Sequence, residues 1–149
     1  MIRSRKRLQL CTCLLCVNLI FIWGNSLLPG HISGALSDWL KDLLAPLLGQ
    51  GPQGGGGGLL RKIAHFTEFA CLGMCLRWLT GMLQKKQLRQ LLFPLIIAIG
   101  VACIDETIQI FVPNRGPGIK DVLLDSAGAL VGIAILTISH ILQKKRQHS

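Results

Sequence analysis

Between Leu8 and Gly30 the chain carries no charged side chain. At ~1.5 Å per helical residue, a stretch of that length crosses a ~30 Å hydrocarbon core. Three further apolar blocks follow, so the apolar residues lie in runs rather than at scattered core positions. Only 15% of the residues are charged and the mean hydropathy is +0.51, whereas a globular chain carries about 25% charged residues. The fold class read from this pattern is all-α: a polytopic membrane protein with four transmembrane helices in a single membrane domain over 1–149.

The expected spans are 8–29, 63–83, 91–112 and 122–142. The first is preceded by Arg3, Arg5, Lys6 and Arg7, as in the n-region of a secretory signal, and Ser33-Gly34-Ala35 resembles a weak cleavage site. The apolar stretch is longer than an h-region of roughly 7 to 15 residues, which favours a retained span. Ten of the sixteen basic residues fall in three acid-free runs: Arg3 to Arg7, then Lys85, Lys86 and Arg89, then Lys144, Lys145 and Arg146. With four spans these runs share one side. The positive-inside rule then puts both termini in the cytoplasm and two connections outside. The formal charge of +9 does not point to nucleic acid, because the basic residues form no hydrophilic face. Membrane lipids are the expected surroundings.

In the first outer connection, Leu36, Trp39, Leu40, Leu43, Leu44, Leu47 and Leu48 recur at helical spacing, with Ser37, Asp38, Lys41 and Asp42 opposite. This predicts an amphipathic interfacial helix over 36–48. A Gly-rich tether over 49–58 follows, with seven glycines and no Lys-Ser/Thr pair of a phosphate loop. The six cysteines all lie within expected spans, so no disulfide framework is indicated. Cys11-x-Cys13-x-x-Cys16 reads as small apolar filler rather than a zinc motif.

An ionisable side chain at the bilayer centre costs at least ~2.5 to 3.5 kcal/mol on the insertion scale and asks for a reason. With the orientation above, His65 and Glu68 lie at the outer end of span two. Asp105, Glu106 and Gln109 lie at the outer end of span three, and Asp121 and Asp125 at that of span four. Asn25 and Ser26 close span one on the same side. Asp105 sits ~10 Å along the helix from its outer end, too deep for simple surface exposure. His65 and Glu68 share a stripe with Arg61, Cys71, Leu72 and Cys75. Arg77 points nearly the opposite way and is expected to snorkel to the cytoplasmic interface.

The carboxylates of Asp105 and Glu106 lie towards the negative end of their helix dipole, which raises their cost and favours a function or a strong partner. Asp121 is placed as an N-cap ahead of a ligand. Asp125, on the face of Gly128 and Gly132, has a structural and a functional reading of equal weight. Arg115, in the turn Pro113 to Gly118, is read either as neutralising a buried carboxylate or as binding substrate. Arg61 and Lys62 have outer headgroup contact as their plainer role. The acids with His65 and Gln109 could also bind a divalent metal, but no recognised metal-ligand spacing appears, so no metal ligand set is assigned and the cofactor is left open.

The segments Arg61-Lys-Ile-Ala-His65-Phe-Thr-Glu68, Asp105-Glu106-Thr-Ile-Gln109-Ile-Phe-Val-Pro113-Asn-Arg115 and Asp121-Val-Leu-Leu-Asp125-Ser-Ala-Gly128 resemble, in that order, the VanZ-like family of small bacterial membrane proteins. Trp23-Gly-Asn-Ser26-Leu-Leu-Pro29 is similar to its weaker first-helix motif. The resemblance implies a four-helix integral membrane protein of the bacterial cell envelope. The family takes its name from a member giving low-level resistance to teicoplanin-type glycopeptides, and it has no agreed biochemical activity. Its motif positions match His65, Glu68, Asp105, Glu106, Gln109, Arg115, Asp121 and Asp125. Ile108 stands where many members have His, so a mechanism requiring two histidines does not fit this chain. Asn114 replaces a common Gly, as a turn allows.

Three functions compete. In the first, the outer polar layer binds or modulates a lipid-linked cell-wall precursor, an anionic headgroup or the lipid anchor of a glycopeptide, with Arg61, Lys62 and Arg115 holding the anion. In the second, an intramembrane enzyme uses Glu68 or Glu106 as general acid/base with His65, and Asp105 as a further catalytic candidate. The third is a proton-coupled transporter, against which the inner halves of the spans lack comparable polar residues.

Overall fold

The computed structural model describes residues 2–35, 38, 39, 42, 57–116 and 118–147. Four long helices account for most of them: α1 (Ile2–Ser26), α2 (Gly57–Leu83), α3 (Gln87–Ile110) and α4 (Ile119–Gln147). A short helical stretch at 30–35 follows α1. Among the described residues there is no strand. The expected interfacial helix at 36–48 lies almost wholly outside the described residues, as does the tether at 49–56. The last two residues assigned to that tether, 57 and 58, belong instead to the first turn of α2.

Three helices, over Arg5–Ser26, Gln87–Ile110 and Ile119–Gln147, are long and apolar enough to cross a membrane. The polar residues of α2 lower its hydropathy, although it is 27 residues long. Side-chain placement is inverted relative to a protein in water. Ile20 is 71% exposed and Ile96 62%, while Asp105 and Asp125 are 0% and 1% exposed. Large aliphatic side chains on the outside and carboxylates within are what a hydrocarbon solvent selects. The chain is a membrane protein.

α2 and α3 each touch all the other helices, with α1 and α4 on opposite sides of the pair. The closest packing is between α2 and α4, and glycine makes it possible. A Cβ on Gly128 would overlap the carbonyl of Phe66, one on Gly132 that of Ala70, and one on Gly73 that of Ala129. The small-residue strip on the Asp125 face thus brings two backbones into contact. Ile22, Phe69, Leu72, Ala98 and Ala102 fill the space between α1, α2 and α3.

At one end of the bundle, α2 and α3 solve a backbone problem. Pro94, inside α3, has no N–H to offer the carbonyl four residues earlier. That carbonyl, of Gln90, accepts a hydrogen bond from the Thr80 hydroxyl at 3.1 Å. Nearby, Arg77 is only 4% exposed and its Nε donates to Thr137 Oγ1 at 3.0 Å. The snorkelling expected of Arg77 is therefore corrected: the helix turns it towards α4, where a hydroxyl partner holds it.

At the opposite end, the turn after α1 and the α3–α4 turn are joined by the Gly30 N–H donating to Pro113 O at 3.0 Å. Asn114 sits there at φ 58°, a left-handed conformation that Asn tolerates better than most residues. The C-terminus of α1, the N-terminal part of α2, the end of α3 and the start of α4 all meet at this end.

Candidate functional site

Ten polar or charged residues are buried among those described, beside eleven hydrophobic ones, so buried polar side chains are nearly as numerous as hydrophobic ones. Most of the polar set lies at the end closed by the α3–α4 turn. Three faces of that end make different contacts.

The first joins three helices. His65 of α2, Asp105 of α3 and Asp125 of α4 point to a common centre. His65 Nδ1 is 3.8 Å from Asp105 Oδ2 and 3.9 Å from Asp125 Oδ2. Gln109, one turn after Asp105, donates Nε2 to Asp105 Oδ2 at 2.9 Å, to Glu106 Oε1 at 3.4 Å and to Ser26 Oγ at 3.3 Å. Asp105 Oδ1 and both carboxylate oxygens of Asp125 accept no hydrogen bond. Three ligand atoms of His65, Asp105 and Asp125 lie within 4.8 Å of one another, a grouping that could hold a metal ion. Spacing along the chain could not reveal it, because each helix supplies a single member.

The second face turns towards α1. Glu68 Oε1 accepts from Asn25 Nδ2 at 3.0 Å, while Oε2 is buried without a partner. The Glu68 carbonyl accepts from Asn18 Nδ2 at 3.3 Å. Beside it runs an apolar groove of about 840 Å³ between α1 and α2, with Ile20, Phe21, Leu28 and Ala64 in its walls. His65 and Glu68 are three residues apart, yet they face different neighbours.

The third face is a narrow cleft between α2, α3 and α4. Arg61 and the exposed Lys62 stand above buried His65, Glu106, Gln109 and Asp125, with half-buried Asp121 at the side. Glu106 Oε2 accepts from the Gly118 N–H at 2.9 Å, tying α3 to the start of α4. Helix α4 begins at Ile119, and the N–H of Asp121 donates to Gly118 O at 2.9 Å. Asp121 is therefore within the first turn rather than at the N-cap, which corrects its first reading. Its charge still favours that helix end.

Arg115 hydrogen-bonds to backbone carbonyls rather than to the acids. Its Nε donates to Leu28 O at 3.1 Å and its Nη2 to Asn25 O at 2.7 Å, supplying donors to carbonyls that the end of α1 leaves unpaired. Among the described residues no carboxylate lies within ion-pair reach of it, so the ion-pair reading of Arg115 is corrected. Burial lowers its pKa from the ordinary value, and the Arg61 charge adds to this, opposed by Asp105, Glu106 and Glu68. A guanidinium remains charged in proteins regardless.

Asn25 and Ser26, noted in the sequence only as polar residues closing span one, are direct partners of Glu68 and Gln109. The signal was two polar residues at the end of an apolar span, within the Trp23 to Pro29 motif. The cysteines are all free. Cys13 and Cys16 are exposed, whereas Cys11 is buried with its Sγ 3.5 Å from Cys75 O, so the three form no cluster.

No curated protein and no solved structure matches the chain. A family model described as VanZ/LLP1 matches residues 7–140, a range that holds α2 and α3 whole, most of α1 and α4, and every residue of the polar end. The chain belongs to the VanZ/LLP1 family.

Proposed function

We propose that this chain is a four-span protein of the bacterial cell membrane, with both termini cytoplasmic. Its polar end then lies in the outer leaflet and binds or modulates an anionic, lipid-linked component of the envelope. The basic runs at 3–7, 85–89 and 144–146 support the orientation. The observation that carries the binding reading is the cleft in which Arg61 and Lys62 stand over buried polar groups from three helices. The cations suit a phosphate or carboxylate headgroup, and the apolar groove beside Glu68 suits an acyl chain. Low-level protection against teicoplanin-type glycopeptides is the outcome expected of such binding in this family.

The test is teicoplanin susceptibility of a sensitised host expressing the wild type, Glu68→Gln or Glu106→Gln, with membrane levels matched. Protection by the wild type alone supports the reading. Equal protection by all three places the function elsewhere, and protection by none removes the resistance role. The position of His65 between two carboxylates also favours a second reading, acid/base chemistry on a lipid or lipid-linked glycan. That reading requires turnover of a purified lipid substrate that stops in the same variants.

A further inference from the structure

The grouping of His65, Asp105 and Asp125 is not explained by protein partners alone. Its separations of 3.8 and 3.9 Å are too long for hydrogen bonds. They are close to the ~3.4 Å edge of a tetrahedral site with bonds of ~2.1 Å. Both aspartates are at least nine-tenths buried, and three of their four oxygens accept no hydrogen bond. Among the described residues, no Lys or Arg lies within ion-pair reach of either. Buried carboxylate oxygens that accept no hydrogen bond, as these three do, are an arrangement that burial penalises strongly.

We propose that His65, Asp105 and Asp125 bind a divalent first-row cation of the zinc or manganese type. Two carboxylates and one divalent cation sum to zero charge, which removes the cost of holding the acids inside a membrane. The imidazole argues against calcium and magnesium, which take oxygen ligands. Gln109 donates to Asp105 Oδ2 and fixes the carboxylate, as groups behind metal ligands commonly do. Three protein ligands leave a coordination position open. His65 and Asp125 also line the cleft, where a space of about 10 Å³ is open to the centre of a water molecule. The inference deepens the outer-site reading and rests on it for the side from which the ion enters. A bound cation would offer an anionic headgroup a direct oxygen contact beside Arg61 and Lys62.

The experiment uses the full chain purified in detergent, stripped with chelator and titrated with cobalt(II), then with zinc and manganese as competitors. Wild type is compared with Asp105→Asn, Asp125→Asn and a Cys13→Ser/Cys16→Ser/Cys103→Ser variant, with helical circular dichroism and monodispersity checked in each. One equivalent of cobalt is expected, with visible d–d bands and no near-ultraviolet thiolate charge-transfer band. The serine variant is expected to bind as wild type does, and each Asn variant to lose at least about 100-fold in affinity. Absence of saturable one-to-one binding, a thiolate band, or binding that survives both Asn changes would overturn the site. Stoichiometry and spectrum of the wild type decide the matter even if an Asn variant does not fold. No lipid ligand is present in the assay. A chain that binds no metal but still protects against teicoplanin loses the metal site alone, and the reverse result removes the ligand reading alone.

Discussion

Gly128→Ala adds one methyl group where α4 touches the Phe66 carbonyl of α2. That carbonyl belongs to a helix backbone and cannot rotate aside, so the two helices must separate by about 1 Å to restore ordinary contact, an overpacking of the kind that costs ~1 to 3 kcal/mol. Against this, replacing a mid-helix glycine by alanine gains ~0.5 to 1 kcal/mol in backbone propensity. The net expectation is a loss of up to ~2.5 kcal/mol. Gly100→Ala, on α3, meets nothing within 4 Å and should carry the propensity gain alone. The difference between the two variants isolates the packing contribution. Reversible unfolding in sodium dodecyl sulfate, followed by tryptophan fluorescence, measures both. Equal shifts for Gly128→Ala and Gly100→Ala would refute backbone contact between α2 and α4.

Thr80→Val should cost ~1 kcal/mol by the same unfolding assay, and much less in a Pro94→Ala background, where residue 94 supplies its own N–H to Gln90 O. Arg115→Met removes two donors from the end of α1 and should destabilise by ~1 to 3 kcal/mol. If Arg115→Lys proves as stable as wild type, the planar two-point contact is not what matters. A fluorescent protein fused to the C-terminus should fluoresce, and alkaline phosphatase inserted at 49–56 should be active. Inactive phosphatase there would remove both the orientation and the outer position of the polar end. Asn25→Leu should leave Glu68 without its donor and lower the amount of folded protein in the membrane. Unchanged levels would show that Glu68 does not depend on that bond.

Apolar run length and charge placement determined much of this molecule without any coordinates. A membrane offers no water to unpaired backbone groups, so long uncharged segments have to be helices. With spans expected to alternate in direction, the polar residues of each helix fall near one end by counting alone. That logic found His65, Glu68, Asp105, Glu106, Gln109 and Asp125, and it recognised the Gly128 and Gly132 strip.

Only the tertiary structure decided which of these groups meet. Rotation of each helix about its axis depends on packing between helices, to which residue spacing within one helix is blind. His65 and Glu68 therefore share a stripe in sequence yet separate towards α4 and α1. Arg115 and Arg77 have reach enough for several partners, and their local surroundings selected backbone carbonyls for one and Thr137 for the other. The start of α4 moved to Ile119 because Gly118 is held by Glu106, a contact twelve residues long in the chain. Asp125 sits beside the His65 imidazole because glycine lets α2 and α4 approach to backbone contact. The strip was visible in the sequence, but its partner helix and register were not.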